Sequence, residues 1–152
     1  LRLLCKLFRV VEHKGVLAAL LRVIERAVCR VIERCEIAAV LREECAAFRA
    51  ENASWVEDYA LFMACKRHFG MKAWTEWPDE KIRMRRADAV AYYRATLAED
   101  IKLFTYIQFL FFRQWNQLRD YAHENGILIV GDLPIYVALD SADVWASPEH
   151  FQ

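Results

Sequence analysis

The 152-residue sequence predicts a mainly helical fragment of α/β type with one parallel-type strand. Three observations carry that reading. Apolar residues recur at three- and four-residue steps over two long stretches, Leu17 to Ala50 and Asp88 to Tyr121, as on the buried face of a helix. A single short run, Ile127-Leu128-Ile129-Val130, is continuously apolar and bounded by Gly126 and Gly131, the pattern of a strand covered by helices on both sheet faces. The composition, 57% hydrophobic and 28% charged, is that of a globular chain able to bury a core. The expected organisation is a long N-terminal helical region over residues 1–50, a second helical region over 51–125, and the strand with its following loop over 126–152.

Charge and hydropathy exclude several classes of function. Lys plus Arg and Asp plus Glu are equal at 21 each, so no net field draws the chain to nucleic acid or to an anionic membrane. The uncharged stretches Val16 to Leu21 and Ile127 to Gly131 fall far short of the roughly 18 apolar residues that a membrane-spanning helix requires. A neutral partner fits better. The start, Leu1-Arg2-Leu3-Leu4-Cys5-Lys6, scatters charge among apolar residues and has no small-residue cleavage site, so it reads as the interior of a longer cytoplasmic polypeptide rather than as a signal peptide. Five cysteines (Cys5, Cys29, Cys35, Cys45, Cys65) form no C-x-x-C pair and the four histidines lie far apart, which favours buried thiols over zinc. Neither a metal nor a cofactor is expected.

In the first helix Leu17, Leu21, Ile24, Val28, Val31, Cys35 and Ala38 share one face. The heptad lapses at Arg42, so this stripe is expected to pack within its own domain rather than in a coiled coil. Arg22, Arg26, Arg30 and Arg34 line another face, but Glu25, Glu33 and Glu36 interrupt them, and a solvated surface is expected rather than phosphate contacts. A break at Glu51-Asn52-Ala53-Ser54 precedes a second helix from Trp55, with Ser54 as N-cap and Glu57 completing a capping box. The glycosylation-type sequence Asn52-Ala53-Ser54 is absorbed by that helix-start reading. Gly70 is expected to end this helix, and Trp74-Thr75-Glu76-Trp77-Pro78 to form an irregular loop whose tryptophans pack rather than stack on sugars. The third helical region carries Phe104, Ile107, Phe111, Trp115 and Leu118 on its core face, and Gly126 closes it at a C′ position.

The candidate chemistry follows the strand. In barrel enzymes the loops at the C-terminal ends of the strands hold the active site, which puts Asp132 where a functional carboxylate belongs. Pro134 cannot donate to a ladder, so sheet pairing is expected to stop before it. Tyr136 offers an aromatic face and a hydroxyl, both useful against a sugar. Asp140-Ser141-Ala142-Asp143-Val144-Trp145 adds two carboxylates, a hydroxyl and an indole, with Ser141 capping a short turn. Each has an ordinary alternative: Asp132 as a carboxylate bonded to backbone amides, Asp140 and Asp143 as turn residues, Trp145 as a packing anchor.

The string Gly126-Ile127 through Gly131-Asp132-Leu133-Pro134-Ile135-Tyr136-Val137-Ala138, followed by Asp140-Ser141-Ala142-Asp143-Val144-Trp145, closely resembles the 4-α-glucanotransferases, also called amylomaltases or disproportionating enzymes. Upstream blocks agree in the same order: Trp55-Val56-Glu57-Asp58-Tyr59-Ala60-Leu61-Phe62, Trp74 through Trp77-Pro78, Gln108-Phe109-Leu110-Phe111-Phe112-Arg113-Gln114-Trp115, and Tyr121-Ala122. The resemblance runs from near Phe48 to Gln152, about two thirds of the chain. It departs at Ser54 and Val56, where the family more usually has an aromatic and a leucine.

That resemblance implies a (β/α)₈ TIM barrel with helical insertions, residues 51–125 being such an insertion, in a transferase that moves α-1,4-glucan segments between maltooligosaccharides. It places Asp132 at the end of the third barrel strand beside the donor-sugar pocket, with Pro134 and Tyr136 as further substrate-binding residues. The implied chemistry is a retaining double displacement. Its oxocarbenium-like transition state needs a carboxylate nucleophile on one face and a proton donor at the leaving oxygen, about 5–5.5 Å apart. In the family those residues, and a third aspartate, lie on later strands. No catalytic residue is therefore expected within residues 1–152, and Asp140, Asp143 and Glu149 are assigned none. The competing expectation is a non-catalytic helical interaction or glucan-binding module, resting on the stripe from Leu17 to Ala38 and on Trp74 and Trp77.

Overall fold

The computed structural model describes residues 37–131 and 136–151. Of the helix expected from Leu17 to Ala50, the part up to Glu36, which carries the basic stripe and all of the apolar stripe but Ala38, lies outside the described residues, as do Cys5, Cys29, Cys35, Asp132 and Pro134. The described elements are α1 (Ile37–Glu51), α2 (Ala53–His68), a 3₁₀ turn (Trp74–Glu76), α3 (Glu80–Arg83), α4 (Ala87–Thr96), α5 (Ala98–Glu124), α6 (Ala142–Ala146) and a second 3₁₀ turn (Pro148–His150). Among the described residues the chain divides into two compact units, one of residues 37–46 and 115–131, the other of residues 47–114 and 136–151.

The break between α1 and α2 is tighter than the sequence predicts. Asn52, not Ser54, stands at the start of α2, and its side chain caps no amide there. Its Nδ2 donates to the Phe48 carbonyl at 2.9 Å and its Oδ1 accepts from Trp55 Nε1 at 3.0 Å. Because α1 runs almost directly into α2, the first amides find backbone acceptors: Trp55 N and Val56 N both donate to the Asn52 carbonyl. No hydroxyl cap is needed, so Ser54 is exposed and Glu57 is released for other partners.

The helix ends follow the glycines as expected. At the end of α2 the Gly70 N–H bonds the Arg67 carbonyl and the Met71 N–H bonds the Lys66 carbonyl, a Schellman arrangement with Gly70 at φ +71°. Gly126 repeats it after α5, again at φ +71°, with Ile127 N–H reaching the Ala122 carbonyl. The third instance has no glycine. After α3 the Arg85 and Arg86 amides bond the Ile82 and Lys81 carbonyls, and Arg85 itself sits at φ +50°.

Helix α2 is the centre of the second unit. Ala60 to Cys65 are all buried in succession, so the helix is covered on more than one side. Phe62 packs against Trp77 and Trp145 at centroid distances of 5.7 and 5.8 Å, and Phe69 extends the cluster to Trp77 and Tyr93. A second group joins Phe48, Trp55, Phe109 and Phe112 within the same unit. Cys65 is a fully buried free thiol, as the cysteine pattern predicts, and burial pushes it up to about 12, whereas Cys45 is free but only partly covered.

Two further expectations are corrected. The helical region from Asp88 to Tyr121 is divided at Leu97, where φ −105° and ψ 25° separate α4 from α5. Along α5 Phe104 is buried and Ile107, Phe111 and Trp115 are partly covered, but Leu118 is 56% exposed. Periodicity marks residues that share a face; coverage depends on what lies over it.

The parallel-type strand is the larger correction. Among the described residues there is no β-strand, and Ile127, Leu128, Ile129 and Val130 are 57, 83, 40 and 92% exposed. A strand is stabilised by the ladder it shares with a neighbour and by layers on its faces, and neither is present among the described residues. The apolar run records a tendency to be buried that this stretch of chain does not satisfy by itself.

The core makes a direct expectation. Trp145→Ala empties a site that is 1% exposed, and urea unfolding should show a loss of about 3–5 kcal/mol. A loss near zero would mean that the Phe62–Trp77–Trp145 cluster does not hold the unit together.

Candidate functional site

The segment that begins at Tyr136 carries the described part of the candidate site. Tyr136 is 80% exposed, free of the packing that would hide its ring or its hydroxyl from a ligand. Asp140, four positions on, is engaged: Oδ2 pairs with the Lys66 ammonium and Oδ1 accepts the Trp74 backbone N–H at 3.3 Å. Trp74 also sends its indole N–H to the Leu139 carbonyl at 2.8 Å. Ser141 caps α6 by accepting from the Val144 N–H at 3.3 Å, as predicted. Trp145 is the packing anchor that the sequence allowed for, its indole N–H bonded to the Ile82 carbonyl at 3.1 Å.

The tryptophans of the aromatic loop are therefore both committed to structure. Trp77 is 1% exposed and donates to the Lys72 carbonyl at 3.2 Å, while Trp74 holds the Leu139 carbonyl. This removes the main support for a separate sugar-stacking platform at Trp74 and Trp77.

The block Trp55 to Phe62 contributes something that sequence reading missed, a pair of adjacent carboxylates served by arginines from three directions. Glu57 accepts from Arg49 at 2.6 Å and from Arg94 at 2.8 Å. Asp58 accepts from Arg85 at 2.8 Å and from Arg94 at 3.5 Å. The Arg49 hydrogen bond, aided by Arg94, holds the Glu57 carboxyl below the usual carboxylate range against the opposing effect of burial. Arg85 also lies over the Trp145 ring at 4.5 Å, so its left-handed backbone, which costs about 1–2 kcal/mol outside glycine, is held by an ion pair and a cation–π contact. Asp79 closes the region by capping α3 at Lys81 N and accepting from the Tyr93 hydroxyl at 3.0 Å. Burial and that carboxylate raise Tyr93 to about 12. No local spacing joins Lys66 to Asp140 or Arg85 to Asp58; the adjacent acids Glu57 and Asp58 inside an apolar helix were the one available hint.

With the fold and these contacts in place, comparison with known proteins decides the family. The family model described as 4-alpha-glucanotransferase matches residues 2–152. The chain belongs to the 4-alpha-glucanotransferase family. A 4-alpha-glucanotransferase of Streptococcus pneumoniae is 49% identical over 105 residues, covering 69% of this chain and 21% of the relative. One from Thermus thermophilus is 49% identical over 109 residues, covering 72% of this chain and 22% of its own. A solved structure, an amylomaltase from Streptococcus agalactiae in complex with acarbose, superposes with a TM-score of 0.79 at 42% identity, covering 91% of this chain and 27% of that one. The chain thus spans about a fifth of the length of these curated 4-alpha-glucanotransferases. No helix among the described residues is long and apolar enough to cross a membrane.

The Glu57 cluster has a stated pH signature. A carboxylate whose folded value lies below 4.5 adds stability above 4.5 and loses it as pH falls through the lowered value. Glu57→Gln should cost about 1 kcal/mol at neutral pH, and chemical denaturation should show the difference from the parent shrinking as pH drops below 4.5. An unchanged difference down to strongly acidic pH would mean that the ionised carboxylate is not what matters.

Proposed function

We propose that this chain is part of a 4-α-glucanotransferase that moves α-1,4-glucan segments between maltodextrins by a retaining double displacement. The observation that carries the reading is the family match over residues 2–152, supported by the superposition on an amylomaltase that holds acarbose. In this reading the parent fold is a (β/α)₈ barrel, residues 51–125 are its helical insertion, and the loop with Asp132, Pro134 and Tyr136 faces the donor glucan. Tyr136 supports that role by its exposure: a ring and hydroxyl open to solvent suit the apolar face and hydroxyl edge of a sugar.

The nucleophile and the acid/base carboxylate are assigned to the remainder of the polypeptide. Within the described residues the carboxylates of Glu57, Asp58 and Asp140 are each held by cations, which suits structure and not proton transfer at a glycosidic oxygen. The free thiol at Cys65 supports a reducing compartment, and we place the enzyme in the cytoplasm.

The complete protein that carries this chain, incubated with maltotriose, should yield glucose together with longer maltodextrins. Chromatography that shows maltotriose intact, or glucose with no lengthened product, would sink the transferase reading. Residues 1–152 alone should show no turnover in the same assay.

A further inference from the structure

We propose that Asp140, clamped by Lys66 and Trp74, is the positioning residue that fixes where Tyr136 is presented to the glucan, an inference that rests on the transferase reading above. Among the described residues, little else holds the segment it serves. Four of the five residues from Tyr136 to Asp140 are exposed, so packing contributes little to its placement. Beyond Asp140 the situation reverses: Ser141 caps α6, and Trp145 is buried with its indole bonded to the Ile82 carbonyl. Docking of α6 is thus secured without Asp140. What the carboxylate adds lies on its N-terminal side.

Three ties converge on two consecutive residues there. Asp140 takes the Lys66 ammonium on one oxygen and the Trp74 backbone N–H on the other, and the adjacent Leu139 carbonyl takes the Trp74 indole. The donors come from the end of α2 and from the start of the 3₁₀ turn, both fixed by the aromatic core through Phe62 and Trp77. Lys66 is no ordinary surface partner. Its side chain is 14% exposed and its ammonium lies 5.6 Å from the Phe62 ring, so removing the carboxylate strands a largely covered charge. Tyr136 stands four residues from this clamp, a tether of about 13–14 Å if extended. Ser141 and the Leu139–Trp74 bond still anchor the segment when the carboxylate is lost, but its direction is less fixed, and a change in direction moves the ring by more than the ångström-scale placement that a bound sugar requires.

The test uses the complete enzyme with maltotriose as substrate. Asp140→Asn and Lys66→Met should each raise KM about tenfold and leave kcat within about twofold, whereas Lys66→Arg should restore KM because the charge pair is kept. Tyr136→Ala should raise KM by at least as much, and adding Asp140→Asn to it should raise KM no further, because a positioning residue has nothing left to position. Multiplicative effects in the double variant would overturn the proposal, and so would an unchanged KM in Asp140→Asn. If Tyr136→Ala itself leaves KM unchanged, the proposal fails while the transferase reading stands. If the unaltered enzyme makes no longer maltodextrins, that reading fails first and takes the proposal with it.

Discussion

Trp145 is 1% exposed, and its ring meets Trp77 and Phe62 at 5.7 and 5.8 Å while its indole N–H is satisfied by the Ile82 carbonyl. Burying an indole removes about 200 Å² of apolar surface from water, on the order of 5 kcal/mol, a large share of a small unit's stability. That contact returns the segment after the site loop to the face of α2. Through it the placement of α6, of the Ser141 cap and of the Asp140 clamp all become properties of one aromatic core. A polar indole at the centre costs nothing extra because its single donor has an acceptor.

Electrostatics refines what that core begins. Arg85 ends α3 in a conformation that glycine adopts freely, and it does so because its guanidinium has two destinations, Asp58 and the Trp145 ring. A glycine there would relax the backbone and lose both. Arg94 bridges the two acids of α2 from α4, so the short helices are joined to α2 by charge as well as by packing. The same block that carries the family resemblance, Trp55 to Phe62, therefore supplies both the buried wall and the anions that orient what surrounds it.

Most helix ends were legible because they depend on local chemistry. Gly70 and Gly126 occupy left-handed positions after their helices, and Ser141 caps the helix it precedes. Ser54 was misread for a physical reason: Asn52 carries the turn, and backbone acceptors already satisfy the amides that a cap would serve. The family was legible in the ordered blocks from Trp55 to Trp145. The run from Ile127 to Val130 was legible as apolar but not as a strand among the described residues, since a ladder is a relation between two segments. Long-range pairs such as Lys66 with Asp140 leave no spacing in the sequence to read. Within the site, Tyr136 is exposed, and Asp132 and Pro134 fall outside the described residues.

The docking of Trp145 also sets an order of events during synthesis. The acceptor at Ile82 precedes the indole by 63 residues, which at about 5–20 residues per second is a delay of about 3–13 seconds on the ribosome. Throughout that interval Phe62 and Trp77 lack their last aromatic neighbour, and the apolar run ahead of the site loop is made before the gap is filled. Until the indole docks, that uncovered aromatic surface is of the kind that makes a partly folded chain prone to aggregate.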